Sequence, residues 1–327
     1  MCPYLVVFDE KAVSLWRVYN SASTSIHKRV PRPSRHTINM LHYIITRFNL
    51  RLWPHDKRGG KTQTAEWLKE RFRLFETYCL PSVAAQTQGN FTWIVLFDAE
   101  TPQQYTERFV DYKKICPQFT PIRVQPNYSL QFVQLIQKIV SKLQKEVCPA
   151  EQFLLTTYLD NDDALRKDFV ERLQTIASGI LPNTFVSFVH GLQYYTELNI
   201  ATHIVYKNNH FVSFFEALSN DSQLPKTVYG HGSHIYIDRF KDCHCLYEET
   251  DDAMWVEVVH ACNVDNDVRI TQKNHLVTDR EYLKAYGIVG SLSAHARRIY
   301  YTRFLFRRIR EICRRAKFRL FGRDWWK

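Results

Sequence analysis

The sequence contains no long hydrophobic run. None of its apolar stretches approaches the roughly 18 to 20 residues that a membrane-spanning helix needs. We therefore expect that the chain does not cross a bilayer, although it could still lie on one. Its hydrophobic fraction of 45% over 327 residues is nevertheless enough to fill a sizeable core.

Cysteine pairs with the Cys-x₂₋₄-Cys spacing of a zinc knuckle are also missing. The eight cysteines are scattered along the chain, and its start does not have the pattern of a signal peptide. We therefore expect reduced thiols and a cytoplasmic protein. A structural zinc site normally uses a Cys-x-x-Cys type of knuckle, whereas here only Cys243, His244 and Cys245 cluster, followed later by His260 and Cys262. This spacing disfavours zinc.

Net charge is almost absent from most of the chain. Of the formal charge of +11, residues 295–327 contribute +10, because they contain 12 of the 44 Lys and Arg residues and 2 of the 33 acidic residues. The rest of the chain is therefore close to neutral. The short basic tail generates a positive field that attracts an anionic surface.

The order of the apolar segments predicts an α/β fold. Residues 1–36 contain an apolar stretch at 4–8, which could add an edge strand, and end in a Pro- and Arg-rich linker. Short apolar runs then alternate with segments of helical spacing, which is typical of an α/β sheet. We predict strands at 42–46, 91–97, 153–159, 185–190, 203–206 and 234–237. We predict helices around Phe72, around Phe109, over 132–147 and through Leu165, Phe169 and Leu173.

A run of carboxylates follows the third predicted strand, where Asp160, Asp162 and Asp163 surround Asn161. Neighbouring carboxylates repel one another and lose hydration on burial, and a cation relieves both costs. Oxygen ligands of this kind suit Mg²⁺ or Mn²⁺, with substrate phosphates and water completing the coordination shell. The run therefore predicts a divalent-metal site. The alternative is that Asp162 or Asp163 caps a helix that begins near Ala164.

Four segments in a fixed order carry a family resemblance. Residues 158–165 (YLDNDDAL) resemble the DxD element of GT-A glycosyltransferases. Residues 42–49 (HYIITRFN), 93–102 (WIVLFDAETP) and 254–260 (MWVEVVH) complete a likeness to the bacterial putative rhamnosyltransferase family over about residues 38–275. The resemblance implies a GT-A-like nucleotide-sugar-binding fold, with a mixed central sheet flanked by helices. We predict an N-terminal extension and linker (1–36), a catalytic domain (37–290) and a basic tail (291–327).

The resemblance also implies a nucleotide contact at the ends of the first two strands. Asp98 would contact the nucleobase or ribose of a nucleotide-sugar donor. Arg47 would meet the nucleotide, since a guanidinium pairs well with phosphate. The plain alternatives are that Asp98 caps the helix before Gln103 and that Arg47 pairs with a structural carboxylate.

The acidic run would then bind the metal and the donor together. Asp160 would face the ribose or a metal-bound water, Asp163 would contribute to nucleotide-sugar binding, and Asp162 would bind the metal directly. His260 follows a strand-like stretch and would be a further metal ligand, although a lone histidine there could also be a hydrogen-bonded core residue.

The expected activity is transfer of a sugar from a nucleotide-sugar donor to a glycan or lipid-linked acceptor. The family name suggests dTDP-rhamnose as the donor, and a metal on the phosphates would stabilise the charge left on the diphosphate. An inverting enzyme also needs a carboxylate base, for which Asp252 is the candidate, unless residues 248–252 form only a solvated acidic turn. Two alternatives are a non-catalytic membrane- or nucleic-acid-binding module and a metal-dependent phosphohydrolase.

The basic tail has the pattern of an amphipathic helix. Its apolar stripe consists of Tyr301, Leu305, Ile309, Ile312, Ala316 and Leu320. Arginines lie on the other faces, and the tail ends in two tryptophans, so residues 297–327 suit an anionic membrane surface. We therefore expect a protein that is peripheral on the inner face of the plasma membrane. The alternatives are packing on the catalytic domain and nucleic-acid binding. The aromatic residues argue against nucleic-acid binding, because they fall mainly at buried strand and helix positions and do not interleave with basic residues.

Overall fold

The protein is a mixed α/β structure with a central mixed sheet flanked by helices. The computed structural model describes residues 6–8, 40–56, 59–147, 152–218, 223–260, 276–277, 279–288 and 294–321. Within these residues, no helix is long and apolar enough to span a membrane. The cysteines among them are free thiols, namely Cys79, Cys116, Cys243, Cys245 and Cys313.

The strands and helices alternate through the first half of the chain and strands dominate the second. The strands are β1 (Val6–Phe8), β2 (Met40–Arg47), β3 (Thr92–Asp98), β4 (Phe119–Val124), β5 (Phe153–Tyr158), β6 (Ala164–Leu165), β7 (Thr184–Phe188), β8 (His190–Tyr195), β9 (Ile200–Val205), β10 (Ser213–Ala217), β11 (His244–Glu248), β12 (Trp255–Val259) and β13 (Leu276–Val277). The helices are α1 (Ala65–Leu74), α2 (Leu80–Ala84), α3 (Gln103–Thr106), α4 (Phe109–Ile115), α5 (Phe132–Val147), α6 (Phe169–Ala177), α7 (Arg280–Lys284) and α8 (Ala294–Phe321). A π-helical turn at Phe75–Cys79 joins α1 to α2, and 3₁₀ turns occupy Pro126–Gln131 and His234–Arg239.

The larger sheet has eight strands in the order β1-β4-β3-β2-β5-β10-β7-β11. Strands β1 to β5 run parallel to one another, and β10 runs antiparallel to both β5 and β7. The chain moves outward from β2 to β3 and β4 and then returns to the other side of β2 as β5. In open α/β sheets such a reversal of strand order opens a crevice at the carboxyl ends of the two strands.

The smaller sheet has the order β13-β9-β8-β12-β6 and is joined to the larger one by the acidic run. Strand β5 ends at Tyr158, and the two-residue strand β6 begins at Ala164 and pairs antiparallel with β12. Residues 159–163 therefore lie between the two sheets, and their position depends on the packing of both sheets.

The main core is rich in aromatic side chains and fixes α1 against the sheet. Phe72 stacks on Tyr105 with ring centroids 4.3 Å apart and packs on Phe48 at 4.5 Å. Leu68, Phe72, Phe75 and Cys79 are all buried, as the helical spacing predicts. Burying each large apolar side chain contributes about 1.5–3 kcal/mol, so α1 is firmly seated beside the end of β2.

Several predicted elements are confirmed. The apolar runs at 42–46, 91–97 and 153–159 form β2, β3 and β5, and Val6–Phe8 forms the predicted edge strand beside β4. The basic tail is helical over Ala294–Phe321. The boundaries predicted after residues 36 and 290, and the Pro- and Arg-rich linker itself, lie outside the described residues.

Two predicted elements are wrong. Residues 234–237 form a 3₁₀ turn and not a strand. Leu165 lies in β6, and the helix that was expected to include it begins at Phe169. Asp162 and Asp163 therefore cap no helix, because the residues that follow them pair with β12.

The two strands β8 and β12 approach closely at Gly191. A Cβ atom on this glycine would lie 2.3 Å from the ring of Trp255, far inside contact distance. Trp255 has no room to retreat, because its ring stacks on Phe211 at 4.7 Å and its indole N–H donates to the carbonyl of Phe188 at 2.8 Å. A side chain at residue 191 therefore conflicts with the packing that supports β12.

We predict that Gly191→Ala destabilises the protein by about 1–3 kcal/mol, as overpacking of a core commonly does. Urea unfolding monitored by circular dichroism measures the change. The control is Gly179→Ala, where the nearest atom to an added Cβ lies 3.7 Å away. Equal stabilities of the two variants would contradict the close contact.

Candidate functional site

A cleft opens at the carboxyl ends of β2 and β5, where the strand order of the larger sheet reverses. Its space is about 470 Å³, part of which is open to solvent. The loop from β2 to α1 forms much of its wall. It is lined by Arg47, Phe48, Leu50, Leu52, Trp53, Thr62, Gln63, Trp67, Arg71, Asp160 and Asn161.

Arg47, the last residue of β2, is enclosed by aromatic rings. Its guanidinium carbon lies 5.0–5.6 Å from the ring centroids of Trp53, Phe132, Tyr158 and Tyr229. Its Nη2 donates to the Tyr158 hydroxyl and lies 3.8 Å from Asp160 Oδ1. Its Nε is buried and has no hydrogen-bond partner among the described residues. The rings hold the cation in place by cation–π attraction, so Arg47 presents a fixed positive charge to the cleft.

The acidic run is anchored to the end of β2 by Asn161. The side-chain amide of this residue is buried and donates to the carbonyl of Phe48 at 2.6 Å. Asp160 lies beside it and keeps 34% of its side chain exposed at the cleft. Of the carboxylates in the run, Asp160 is therefore the one most open to a ligand.

Asp162 is buried and already neutralised. Its Oδ2 accepts a bond from Arg71 Nη1 at 2.6 Å and lies 2.8 Å from His260 Nε2. Burial by itself would raise the pKa of Asp162, but the charge of Arg71 and the hydrogen bond to His260 outweigh burial and lower it. The carboxylate is therefore ionised.

Asp163 connects the acidic run to the smaller sheet. It has no exposed surface, and its Oδ1 accepts the backbone N–H of Val258 in β12 at 2.8 Å. Its Oδ2 lies 2.7 Å from His210 Nε2. Burial raises the pKa of Asp163. Burial alone would lower the pKa of His210, but the hydrogen bond to Asp163 raises it.

Two sets of potential metal ligands therefore surround residues 160–163. Ligand atoms of Asp160, Asp163 and His210 lie within 4.8 Å of one another. Asp162 and His260 form the second set. Carboxylate oxygens supplemented by an imidazole nitrogen are a donor set that fits Mn²⁺ or Mg²⁺.

Of the predicted site residues, Arg47 and Asp160 line the cleft, whereas Asp98, Asp162, Asp163, Asp252 and His260 do not. Asp98 is buried, and its carboxylate accepts bonds from Arg51 Nε at 2.7 Å and from the backbone N–H of Glu100 at 2.7 Å. Asp252 forms an ion pair with Arg166 at 2.8 Å and keeps 36% of its side chain exposed. The structure brings together Arg47, Asp160, Asp162, Asp163 and His260. The roles of all these residues stay predictions.

Sequence reasoning did not identify Arg71 or His210. Both act through partners distant in the chain, since Arg71 and Asp162 are 91 residues apart and His210 and Asp163 are 47 apart. One signal was available for Arg71, because it precedes the buried Phe72 on a predicted helix and so borders its core-facing side.

The fold and the site together define an α/β protein with a ligand cleft at the point where its strand order reverses. The family model described as "Putative rhamnosyl transferase" matches residues 30–272. The chain belongs to this family, whose description places it among the glycosyltransferases. A comparison with curated proteins finds no match.

We predict that Asp163 and Asp160 contribute very differently to stability. Asp163→Ala leaves the Val258 N–H and His210 without their shared acceptor, which costs about 1–3 kcal/mol or more. Asp160→Ala removes a partly exposed carboxylate and costs less than about 1 kcal/mol. Urea unfolding of the metal-free protein measures both values, and the reverse order would contradict the structural role of Asp163.

Proposed function

We propose that the protein is a metal-dependent glycosyltransferase that binds the diphosphate of a nucleotide sugar in the cleft. The supporting observation is that a caged Arg47 and a partly exposed Asp160 face each other at the carboxyl ends of β2 and β5. The parallel order β4-β3-β2-β5, extended by the antiparallel β10, agrees with a GT-A-like fold. An open α/β sheet binds nucleotides at such a reversal of strand order.

The walls of the cleft suit the parts of a nucleotide-sugar donor. Arg47 and Arg71 offer guanidinium groups for phosphate oxygens. Trp53 is half exposed and, with the apolar Leu50 and Leu52, supplies a surface for the nucleobase. For Asp98 we propose a contact with the nucleobase or ribose that is made through Arg51. The Asp98 carboxylate positions Arg51 by accepting a hydrogen bond from its Nε. The family description favours dTDP-rhamnose as the donor.

For the metal we propose Asp160, Asp162 and His260 as ligands of Mn²⁺ or Mg²⁺. Asp162 is buried and lies behind Arg71, which lines the cleft and contacts it directly, so a metal would reach this carboxylate past Arg71. Asp163 is fully buried and engaged with β12, which suits a supporting role toward the bound donor. When bound, the metal supplies charge stabilisation to the leaving diphosphate.

For the acceptor we propose a glycan or a lipid-linked molecule, with Asp252 as the base that takes the proton of its hydroxyl. The ion pair with Arg166 fixes the Asp252 carboxylate, and its partial exposure leaves an oxygen accessible. A general base has to lie within hydrogen-bonding reach of the proton that it removes.

A thermal-shift screen of dTDP, UDP and GDP with and without Mn²⁺ tests the assignment. We expect stabilisation by at least one nucleotide, only with metal, of about 2.7 kcal/mol at a ligand concentration near 100 times Kd. Asp162→Asn abolishes the effect. Asp111→Asn, which makes the same change in charge at an exposed position, leaves it intact. Stabilisation without metal, or none with any nucleotide, would count against the function.

We further propose that the protein is cytoplasmic and that α8 rests on the anionic inner surface of the plasma membrane. Ala296 and Tyr300 pack on the smaller sheet against Tyr195, Ile200 and Val259. Beyond them, about half or more of each large described apolar side chain is exposed, namely Tyr301, Leu305, Phe306, Ile309 and Ile312. Exposed apolar residues beside arginines suit the interface of an anionic bilayer.

Sedimentation with lipid vesicles tests this surface. We expect binding to vesicles that contain phosphatidylglycerol and little binding to pure phosphatidylcholine, because the helix is strongly basic. The double variant Leu305→Gln and Ile309→Gln loses binding, and it keeps the nucleotide-dependent thermal shift. Equal binding to both vesicle types, or binding to RNA in preference to anionic vesicles, would refute the membrane role.

A further inference from the structure

Arg71 stands between the buried carboxylate of Asp162 and the cleft. Its Nη1 donates to Asp162 Oδ2 at 2.6 Å, and its guanidinium carbon lies 5.4 Å from the centroid of the Trp67 ring. Arg71 and Trp67 also line the cleft together with Arg47. The Nε atom of Arg71 is buried and has no hydrogen-bond partner among the described residues. The guanidinium therefore retains an unused donor.

A divalent cation and the Arg71 guanidinium compete for Asp162. Both are positively charged, and they repel each other strongly at the short separation that one carboxylate imposes. The pair Arg71–Asp162 is nearly free of solvent, with side-chain exposures of 11% and 5%, so screening by water is limited. A cation that bonds to Asp162 therefore competes with Arg71.

The cleft offers the displaced side chain a destination. The backbone of α1 is held by the buried Leu68 and Phe72, so Arg71 can move only by changing its side-chain torsions. The Trp67 ring lies beside the cleft and supports the guanidinium by cation–π attraction. A diphosphate in the cleft offers the anion that Arg71 loses when it leaves Asp162.

We propose that Arg71 is an exchangeable counter-ion, which neutralises Asp162 in the ligand-free protein and transfers to the donor diphosphate when a divalent cation takes Asp162. This inference rests on the proposed function and adds a residue and a coupling to it. Metal and diphosphate then favour each other's binding, because each ligand stabilises the same position of Arg71. The exchange also predicts effects of opposite sign when Arg71 is removed.

Titration calorimetry of Arg71→Met tests these opposite effects. Mn²⁺ alone binds about tenfold more tightly than to the wild type, because no guanidinium competes for Asp162, and tenfold corresponds to about 1.4 kcal/mol. The affinity for dTDP at saturating Mn²⁺ falls by about tenfold. Thymidine, which lacks phosphate, binds equally to both proteins. The control Arg73→Met, at an exposed residue of the same helix that pairs with Glu70, changes none of these values.

A second readout follows Trp67 directly. Adding Mg²⁺ and dTDP to the wild type changes the tryptophan emission, and the part of the change that Trp67→Phe removes is also lost in Arg71→Met, which leaves only the contribution of Trp53. Arg71→Lys keeps the positive charge and provides a second test if Arg71→Met does not fold. Its Mn²⁺ affinity falls between those of the wild type and Arg71→Met.

The outcomes separate the exchange from the function. If the wild type binds Mn²⁺ and dTDP but Arg71→Met binds Mn²⁺ equally or more weakly, Arg71 is a structural partner of Asp162 and the exchange is refuted, while the glycosyltransferase assignment stands. If the wild type binds neither ligand, both proposals fall. Tighter metal binding together with weaker dTDP binding supports the exchange.

Discussion

The neutralisation of three carboxylates within four residues is the constraint on which the site depends. Asp160 remains partly exposed beside Arg47, Asp162 is paired with Arg71 and His260, and Asp163 is held by His210 and a backbone N–H. An unpaired charge at any of the buried positions would cost several kcal/mol. The cations and imidazoles come from four separate parts of the chain, so these segments meet only in the complete fold.

The acidic run also carries the connection between the two sheets. It leaves β5 of the larger sheet and enters β6 of the smaller one after only five residues, 159–163. The hydrogen bond from Val258 to Asp163 then fixes β12 to the run, and His260 follows directly at the end of that strand. The geometry of the site and the relative position of the sheets are therefore determined by the same few bonds.

Much of the larger sheet could be predicted because buried parallel strands are continuous apolar runs, as in β2, β3 and β5. The family resemblance, found from four segments, is confirmed by the match to the family model. Strand β6 could not be predicted, because a strand of two residues shows no periodicity. Residues 234–237 were wrongly predicted to be a strand, because a short alternation of apolar residues also fits a 3₁₀ turn. The pairing of Asp162 with Arg71 and of Asp163 with His210 could not be predicted, because contacts between residues distant in the chain arise only from tertiary structure.

The aromatic enclosure of Arg47 has an entropic consequence. An arginine on an open surface loses up to about 2 kcal/mol of rotamer entropy when it is immobilised. Four rings already confine this guanidinium. Its rotamer entropy is therefore lost when the chain folds and not when the ligand binds. An anion entering the cleft meets a preorganised donor and retains more of the interaction energy as affinity.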